Sequence, residues 1–553
     1  MDQTDVEPWD HNAVNQMIAR QDYDGAARRI DAFLAHDPGF LGARIARARL
    51  LLATGETAQA RDEVTELRTQ APDNLWVWAI ALQALTQHGD VADAVAQFRE
   101  GQARLLPDDS ALASALSALL PALDGWPAQV ALLKDALAVQ PDSRTLQLRL
   151  ATRAPHVGDF ALALDLLQRA EATGPLPSYA KSFQSRLYPM LSSMAESHAR
   201  IAKDIDAGEE TAESLCRLCR FAAAAGHFEQ AQSALMRALE RFPTEWRVLY
   251  RLNRVFLSPS QDAALFTRLS AQAQSGGVDQ NWTLQFALFA LRTGETAIAR
   301  DLLTALRDDP RVSVLAQPVL EALDALGDTP PRPAVLEDAD LCVVKAANPR
   351  GTVFMFGSFL GGLNYLPHRC LDALFADLAV NVVYLRDPYG RSYLSGLPEI
   401  AGGEAGLHNA LARLATELGG GRIITMGSSA AGYAALRAGL AIGAHSVLSL
   451  AGMTGPQLGR SGDEVQANQA ALELFRDVAE PLDLAPVLAS KPQTHLTLII
   501  GDSYAPDIER SRAVADVANA QIIALAGVNS HHSGMPAIAS GILREQLERA
   551  LEG

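Results

Sequence analysis

Prolines recur at a fixed interval through the first part of this 553-residue chain, and that interval constrains the fold more than any other feature. They fall at Pro38, Pro72, Pro107, Pro141 and Pro175, then at Pro243 and Pro310. The steps are 34, 35, 34 and 34 residues, followed by double periods of 68 and 67. A second series lies half a period away, at Gly55, Gly89, Gly158, Gly226 and Gly294. Alanine follows each five residues later, at Ala60, Ala94, Ala163, Ala231 and Ala299. A helix–turn–helix unit accounts for both series. Glycine permits the turn, the small alanine lets the two helices approach, and proline breaks the chain before the next unit. Such units cannot bury their faces alone, so they stack into a solenoid with a concave surface.

The period and residue types resemble the tetratricopeptide repeat (TPR), over about nine units counting degenerate ones, with Trp78 and Tyr23 at aromatic positions of the consensus. The resemblance implies an all-α TPR-like solenoid over residues 1–327 that binds a protein or peptide partner; the competing reading is a spacer or oligomerisation arm. A formal charge of −17 and a pI of about 5.2 argue against a nucleic-acid backbone or an anionic membrane as main partner, and favour a basic or neutral ligand. No apolar run is long enough for a membrane span. The start, Met1-Asp2-Gln3-Thr4-Asp5-Val6-Glu7, lacks the basic and apolar regions of a signal peptide. Four cysteines make no disulfide framework in a chain this long, so a reducing cytoplasm is the expected compartment. Cys216-x-x-Cys219 lies in a helical stretch with no second pair and reads as two packing thiols. No histidine spacing suits a metal, and no cofactor is expected.

Periodicity ends at Leu326-Gly327-Asp328-Thr329-Pro330-Pro331-Arg332-Pro333, whose prolines favour a stiff, extended linker over residues 328–340. From 341 to 553 short apolar runs alternate with amphipathic stretches. Strands are expected at Leu341–Ala346, Thr352–Phe356, Asn381–Leu385, Arg422–Met426, Ser446–Leu450, Leu496–Ile500 and Gln521–Leu525. Helices are expected around Leu366–Leu378, Glu404–Leu418, Ala431–Leu440, Val465–Val478, Ile508–Ala518 and Met535–Leu551. That alternation predicts a mainly parallel sheet covered on both faces, with reactive residues beyond the carboxyl ends of the strands; the joint and the loss of the period imply that residues 335–553 have a core of their own, unless one face of the sheet docks on the solenoid.

The fourth of these strands runs into Gly427-Ser428-Ser429-Ala430-Ala431-Gly432-Tyr433, in which small residues lie two before and two after Ser429. This stretch resembles the nucleophile elbow of α/β-hydrolases, including the Gly-x-Ser-x-x-Gly-Tyr-Ala-Ala variant of some esterases and acyltransferases. A small-residue turn without chemistry is the bland alternative. The resemblance implies an α/β-hydrolase domain over 341–553 with Ser429 as nucleophile. The order Ser429, Asp502, His531 then matches the serine–acid–histidine order of that fold. Asp502, at a strand end, is the expected acid, and Asp507 reads as a helix N-cap. His531 is favoured over its neighbour His532. The oxyanion donors expected are the N–H of Ala430 and one from Gly357-Ser358-Phe359-Leu360-Gly361-Gly362, that of Ser358 or Phe359. Arg386 and Tyr389, on the loop after the third strand, could bind an anionic or sugar-like substrate; an Arg386–Asp387 structural ion pair is the alternative. The function implied is acyl transfer from an ester or thioester to water or an alcohol. Some relatives act on glycans, which implies a carbohydrate ester. The rival is a non-catalytic TPR scaffold with a hydrolase-like binding domain.

Overall fold

The computed structural model describes residues 8–552 apart from 105–109, 158, 192, 209, 333–334, 336–338, 359–360, 420, 454–483, 490–492 and 516–518. The helix expected at Val465–Val478 lies outside the described residues.

Helical TPR-like repeats occupy roughly the first 330 residues, and the two residue series do the work their spacing predicts. Gly55, Gly89, Gly226 and Gly294 take φ of 85°, 101°, 84° and 92°, a left-handed backbone that a side chain would strain. Ala60, Ala94, Ala163, Ala231 and Ala299 are buried where paired helices approach. Helices Tyr23–His36, Thr57–Gln70 and Phe228–Arg241 stop just before Pro38, Pro72 and Pro243. Cys216 and Cys219 are buried thiols on the helix Ala212–Ala224, and burial pushes them up to about 11 and about 12. Among the described residues no helix is long and apolar enough to cross a membrane.

The chain divides into two compact units, Met1–Leu191 and Ser192–Gly459 with Gln466–Gly553. The second therefore holds the later repeat helices, from Met194–Asp206 to Ser313–Leu326, together with the sheet. Its strands are β1 (Leu341–Val344), β2 (Gly351–Phe356), β3 (Gly362–Leu363), β4 (Leu366–Pro367), β5 (Val380–Leu385), β6 (Arg422–Ser428), β7 (Ser446–Leu450), β8 (His495–Gly501) and β9 (Ala520–Leu525). Seven of them form a sheet in the order β1-β5-β2-β6-β7-β8-β9, while β3 and β4 make a separate ribbon. Only β1 is antiparallel to its neighbour. The chain leaves β2 for one side and later crosses to β6 on the other, so β2 and β6 flank the switch in strand order. The crevice at their carboxyl ends is where sheets of this kind bind ligands.

Alternating residues feed two cores, as a pleated strand demands. Phe354, Phe356, Val383 and Leu385 pack on one face against Leu407, Leu411, Ala434 and Ala438 of the helices Gly403–Glu417 and Ala430–Ile442. Val353, Met355, Val382, Tyr384, Ile424 and Met426 point to the other face. There they share a single cluster with Met535 and Ile538 of the helix Gly534–Ala539 and with Leu288, Leu291, Val319 and Leu323 of the last repeat helices. The core of residues 335–553 thus extends into the repeats, the case in which one side of the sheet docks on the solenoid. Arg332, in the proline-rich joint, pins the same face. Its guanidinium and backbone N–H bind the buried Asp372 carboxylate at 2.6–3.1 Å, and Tyr384 donates to it at 2.6 Å. Burial opposes that charge, but these donors outweigh it and hold Asp372 below the usual carboxylate range.

Each buried leucine or valine of that shared cluster is worth roughly 1.5–3 kcal/mol, so the sheet should not stand without the repeats that cover it. A fragment of residues 341–553 is expected to bind a hydrophobic dye and melt without a cooperative transition, whereas residues 193–553 melt cooperatively. Calorimetry and dye fluorescence on the two fragments check this.

Candidate active site

Strand β6 ends at Ser428, and the helix Ala430–Ile442 begins two residues later. Ser429 makes the whole reversal with φ 54° and ψ −125°, a costly conformation for a residue with a side chain. Its surroundings impose it. A Cβ on Gly427 would lie 2.4 Å from the Ala431 carbonyl oxygen, and one on Gly432 would lie 2.8 Å from both Gly452 Cα and Ser449 Oγ. The Ser429 N–H donates to Leu450 O at 2.9 Å and its carbonyl accepts from Met453 N at 3.2 Å, fixing the turn against the end of β7. Thr425 Oγ1 donates to Ala435 O at 2.7 Å and holds the helix on the strand. The hydroxyl of Ser429 therefore stands clear at the carboxyl end of the sheet, half-buried, whereas Ser428 is buried and its Oγ accepts from Asn364 N at 3.3 Å.

His531 lies in the segment after β9, just before the helix Gly534–Ala539. Its Nε2 is 2.8 Å from Ser429 Oγ, and its Nδ1 is 2.9 and 3.0 Å from the two carboxylate oxygens of Asp507. A carboxylate beside Nδ1 fixes that nitrogen as the donor, which leaves Nε2 to accept the serine proton. The carboxylate beside His531 is that of Asp507, not the expected Asp502. Asp507 belongs to the first turn of the helix Ala505–Ala515, where its carboxylate is buried and also takes Arg510 Nη1 at 3.3 Å. Asp502 is exposed and turns toward the β9 side, accepting from Ser503 Oγ at 2.7 Å and Gly527 N at 3.1 Å. Those two donors, Ser503 first, hold it below the usual carboxylate range. One helical turn beyond the strand was needed to bring a carboxylate under the imidazole.

Ala430 is the first residue of its helix, so its N–H has no intrahelical acceptor and faces the serine end of the sheet. The second expected donor differs from the sequence reading. Ser358 N–H is taken by Gly362 O at 2.6 Å, because the glycine-rich loop closes into a tight turn at the head of the β3–β4 ribbon. Phe359, the other residue named for that role, lies outside the described residues. Arg386 and Tyr389 also differ from expectation. Arg386 is buried; its Nε donates to Ala339 O at 2.9 Å and its guanidinium lies 4.1 Å from the ring centre of Phe256. Tyr389 packs on Phe228, with ring centres 5.2 Å apart. Both tie the β5 loop to the repeats of the same unit. The Asp387 carboxylate instead caps its own loop, accepting from the N–H groups of Gly390, Arg391 and Tyr393, though burial still pushes it up to about 6.

Three residues beside the triad had no signal in the sequence beyond the doubled histidine. His532 places Nδ1 3.4 Å from Asn364 Nδ2 and Nε2 3.3 Å from the Tyr365 hydroxyl. Burial, and then the neighbouring His531, push it down to about 4, so it is neutral at physiological pH. Asn364 has φ 54° and presses on Gly534, where a Cβ would lie 2.1 Å from Asn364 Oδ1.

The tetratricopeptide repeat family profile matches residues 17–76. No curated protein matches. Among solved structures, the chain is similar to that of Naa15/Naa10 bound to HypK-THB, with 14% identity, 56% of this chain and 48% of that one covered, and a TM-score of 0.31. It thus spans about half the length of that relative. A tetratricopeptide repeat protein from Parabacteroides merdae is 15% identical over 44% of this chain and 95% of its own, with a TM-score of 0.24. Yeast Tom70 is 12% identical over 56% and 86%, with a TM-score of 0.21. TPR repeats in the N-terminal region are the family assignment these comparisons give.

Asp507→Asn should leave His531 without its fixed acceptor, so the Nδ1–H tautomer gives way to a mixture; Asp502→Asn should not. Nitrogen chemical shifts of the imidazole at pH 8 distinguish the two variants.

Proposed function

We propose that this chain is a serine-nucleophile hydrolase or acyltransferase of the α/β-hydrolase type, acting on an ester or thioester. The observation that carries the reading is the run of hydrogen bonds from Ser429 Oγ through His531 to Asp507, on a strained turn that presents the hydroxyl to the imidazole. Ser429 Oγ attacks the acyl carbonyl as its proton passes to His531 Nε2, and Asp507 stabilises the imidazolium through Nδ1–H. The carbonyl oxygen becomes an oxyanion at the Ala430 N–H. Collapse of the tetrahedral intermediate breaks the ester bond, and His531 returns the proton to the leaving oxygen or sulfur. Water or an alcohol then repeats the sequence on the acyl-serine.

The TPR region supports a second role that does not exclude the first. These repeats are a protein-interaction scaffold, and the family match favours a protein partner. A scaffold whose sheet merely binds would have Ser429 without reactivity.

A fluorophosphonate should label the full chain on Ser429; Ser429→Ala should abolish labelling and Asp507→Asn should slow it by about 10³-fold or more. Label on Ser428, or labelling that survives Ser429→Ala, would remove the catalytic reading and leave the scaffold. A second expectation concerns pH. Because burial pushes His532 down to about 4, it should add no titration of its own between pH 8 and 5, and the slope of log kcat/KM against pH on an activated ester should nowhere exceed one in that range. A slope of two would mean both histidines titrate together.

A further inference from the structure

Acids outnumber bases in this chain, 64 to 47, and several half-buried arginines of the sheet-bearing unit have a carboxylate. Arg292 is paired with Asp262 at 2.8 Å, Arg332 with Asp372 at 2.6 Å and Arg437 with Glu404 at 2.5 Å. Arg251 and Arg254 are half-buried too, but have no carboxylate against them among the described residues. Arg251 belongs to the repeat helix Trp246–Leu252 and Arg254 to the turn after it. The Nε of each is buried without a hydrogen-bond partner. Among the described residues, the largest charges they feel are Arg220, one another, the thiols of Cys216 and Cys219, and the phenols of Tyr250 and Tyr365, with no carboxylate among these. Burial lowers both, Arg254 to about 10. A desolvated guanidinium without a counter-ion is a strong source of instability, and here two of them add mutual repulsion.

Their location gives that arrangement a use. Arg254 lies over the Tyr250 ring, 3.8 Å from its centre, and donates to the Tyr250 hydroxyl, which keeps the guanidinium in one plane. Phe256, two residues on, rests on Arg386 and is 3.7 Å from where a Cβ of Gly361 would stand, at the end of the glycine-rich loop after β2. Tyr365, whose phenol lies within the field of Arg254, reaches His532 Nε2 at 3.3 Å, and the His532 ring centre is 6.3 Å from that of His531. Arg254 thus borders the serine site from the repeat side, with Arg251 behind it.

We propose that Arg251 and Arg254, with the hydroxyls of Tyr250 and Tyr365, form a subsite for an anionic group of the substrate, a carboxylate or a phosphate, that seats its ester beside Ser429. This specificity rests on the serine-hydrolase reading above; the anion site itself does not. It makes the repeats part of the substrate pocket as well as a partner surface. An arginine stacked on tyrosine with a second arginine beside it suits a planar carboxylate or a phosphate equally, so the two sources are left to experiment.

The full-length Ser429→Ala chain is melted with glutarate or with inorganic phosphate, against sodium chloride of matched ionic strength. One of the two anions should raise Tm as mass action requires, and Arg251→Met and Arg254→Met should abolish that rise while Arg254→Lys keeps part of it. Without anion, Arg251→Met should raise Tm, because it removes an unpaired buried charge; a merely structural arginine would lower it. No rise beyond chloride with either anion, or a rise that survives both methionine variants, overturns the proposal. With the active chain, kcat/KM for mono-p-nitrophenyl glutarate should exceed that for p-nitrophenyl butyrate by about 10-fold or more, the worth of one charged hydrogen bond, and the ratio should approach one in Arg254→Met. If neither ester is cleaved and Ser429 is not labelled, the catalytic reading falls, and the Tm series still decides the anion site.

Discussion

A mainly parallel sheet must be covered on both faces, and this one completes its second cover with helices from the repeat array. Much else follows from that. The side of the helix Gly534–Ala539 that packs on Ser313–Leu326 would meet water if the last repeat helices were absent. That helix starts two residues after His532, so the segment bearing His531 takes its position from an element wedged against Ser313–Leu326. The proline-rich joint, which by composition is a stiff spacer, is stapled to the sheet through Arg332 and Asp372. Repeats and sheet are coupled through a shared core, not through a tether.

The site is built where the strand order reverses, and its strain is local. Gly427 and Gly432 leave space that only hydrogen can fill, and the N–H and carbonyl of Ser429 are both engaged by the end of β7 and the residues after it. The cost of the left-handed serine, of order 1–3 kcal/mol, is offset by packing around it. In return the hydroxyl is presented to His531 rather than to the core. Ser428, one residue earlier, has ordinary strand backbone and points inward to Asn364.

Electrostatics divide the unit into satisfied and unsatisfied parts. Buried Asp372 is met by Arg332 and Tyr384, and buried Asp387 by three backbone N–H groups. Those carboxylates stabilise the connections that carry them. The arginines at 251 and 254 have no such answer within the described chain, and they lie on the one side where the repeats meet the serine site.

The sequence by itself determined the repeat units, because a turn glycine, a close-contact alanine and a breaking proline are each required locally and recur with the unit. It also determined the seven strands of the main sheet and the tight turn at Ser429, since the small residues around the serine answer to a steric need within one turn. What it left to the tertiary structure were choices between neighbours and between functions of a charge. Asp502 and Asp507 lie five residues apart on one loop and helix start; only the direction of the helix Ala505–Ala515 brings the second under the imidazole. Arg386 has the composition of a ligand-binding residue, but the face of Phe256 from a distant repeat covers it. Ser358 offers an N–H until the loop closes and Gly362 accepts it. Local sterics can be read from adjacent residues, whereas the partner of a charge or of an N–H is decided by what the fold carries in from far along the chain.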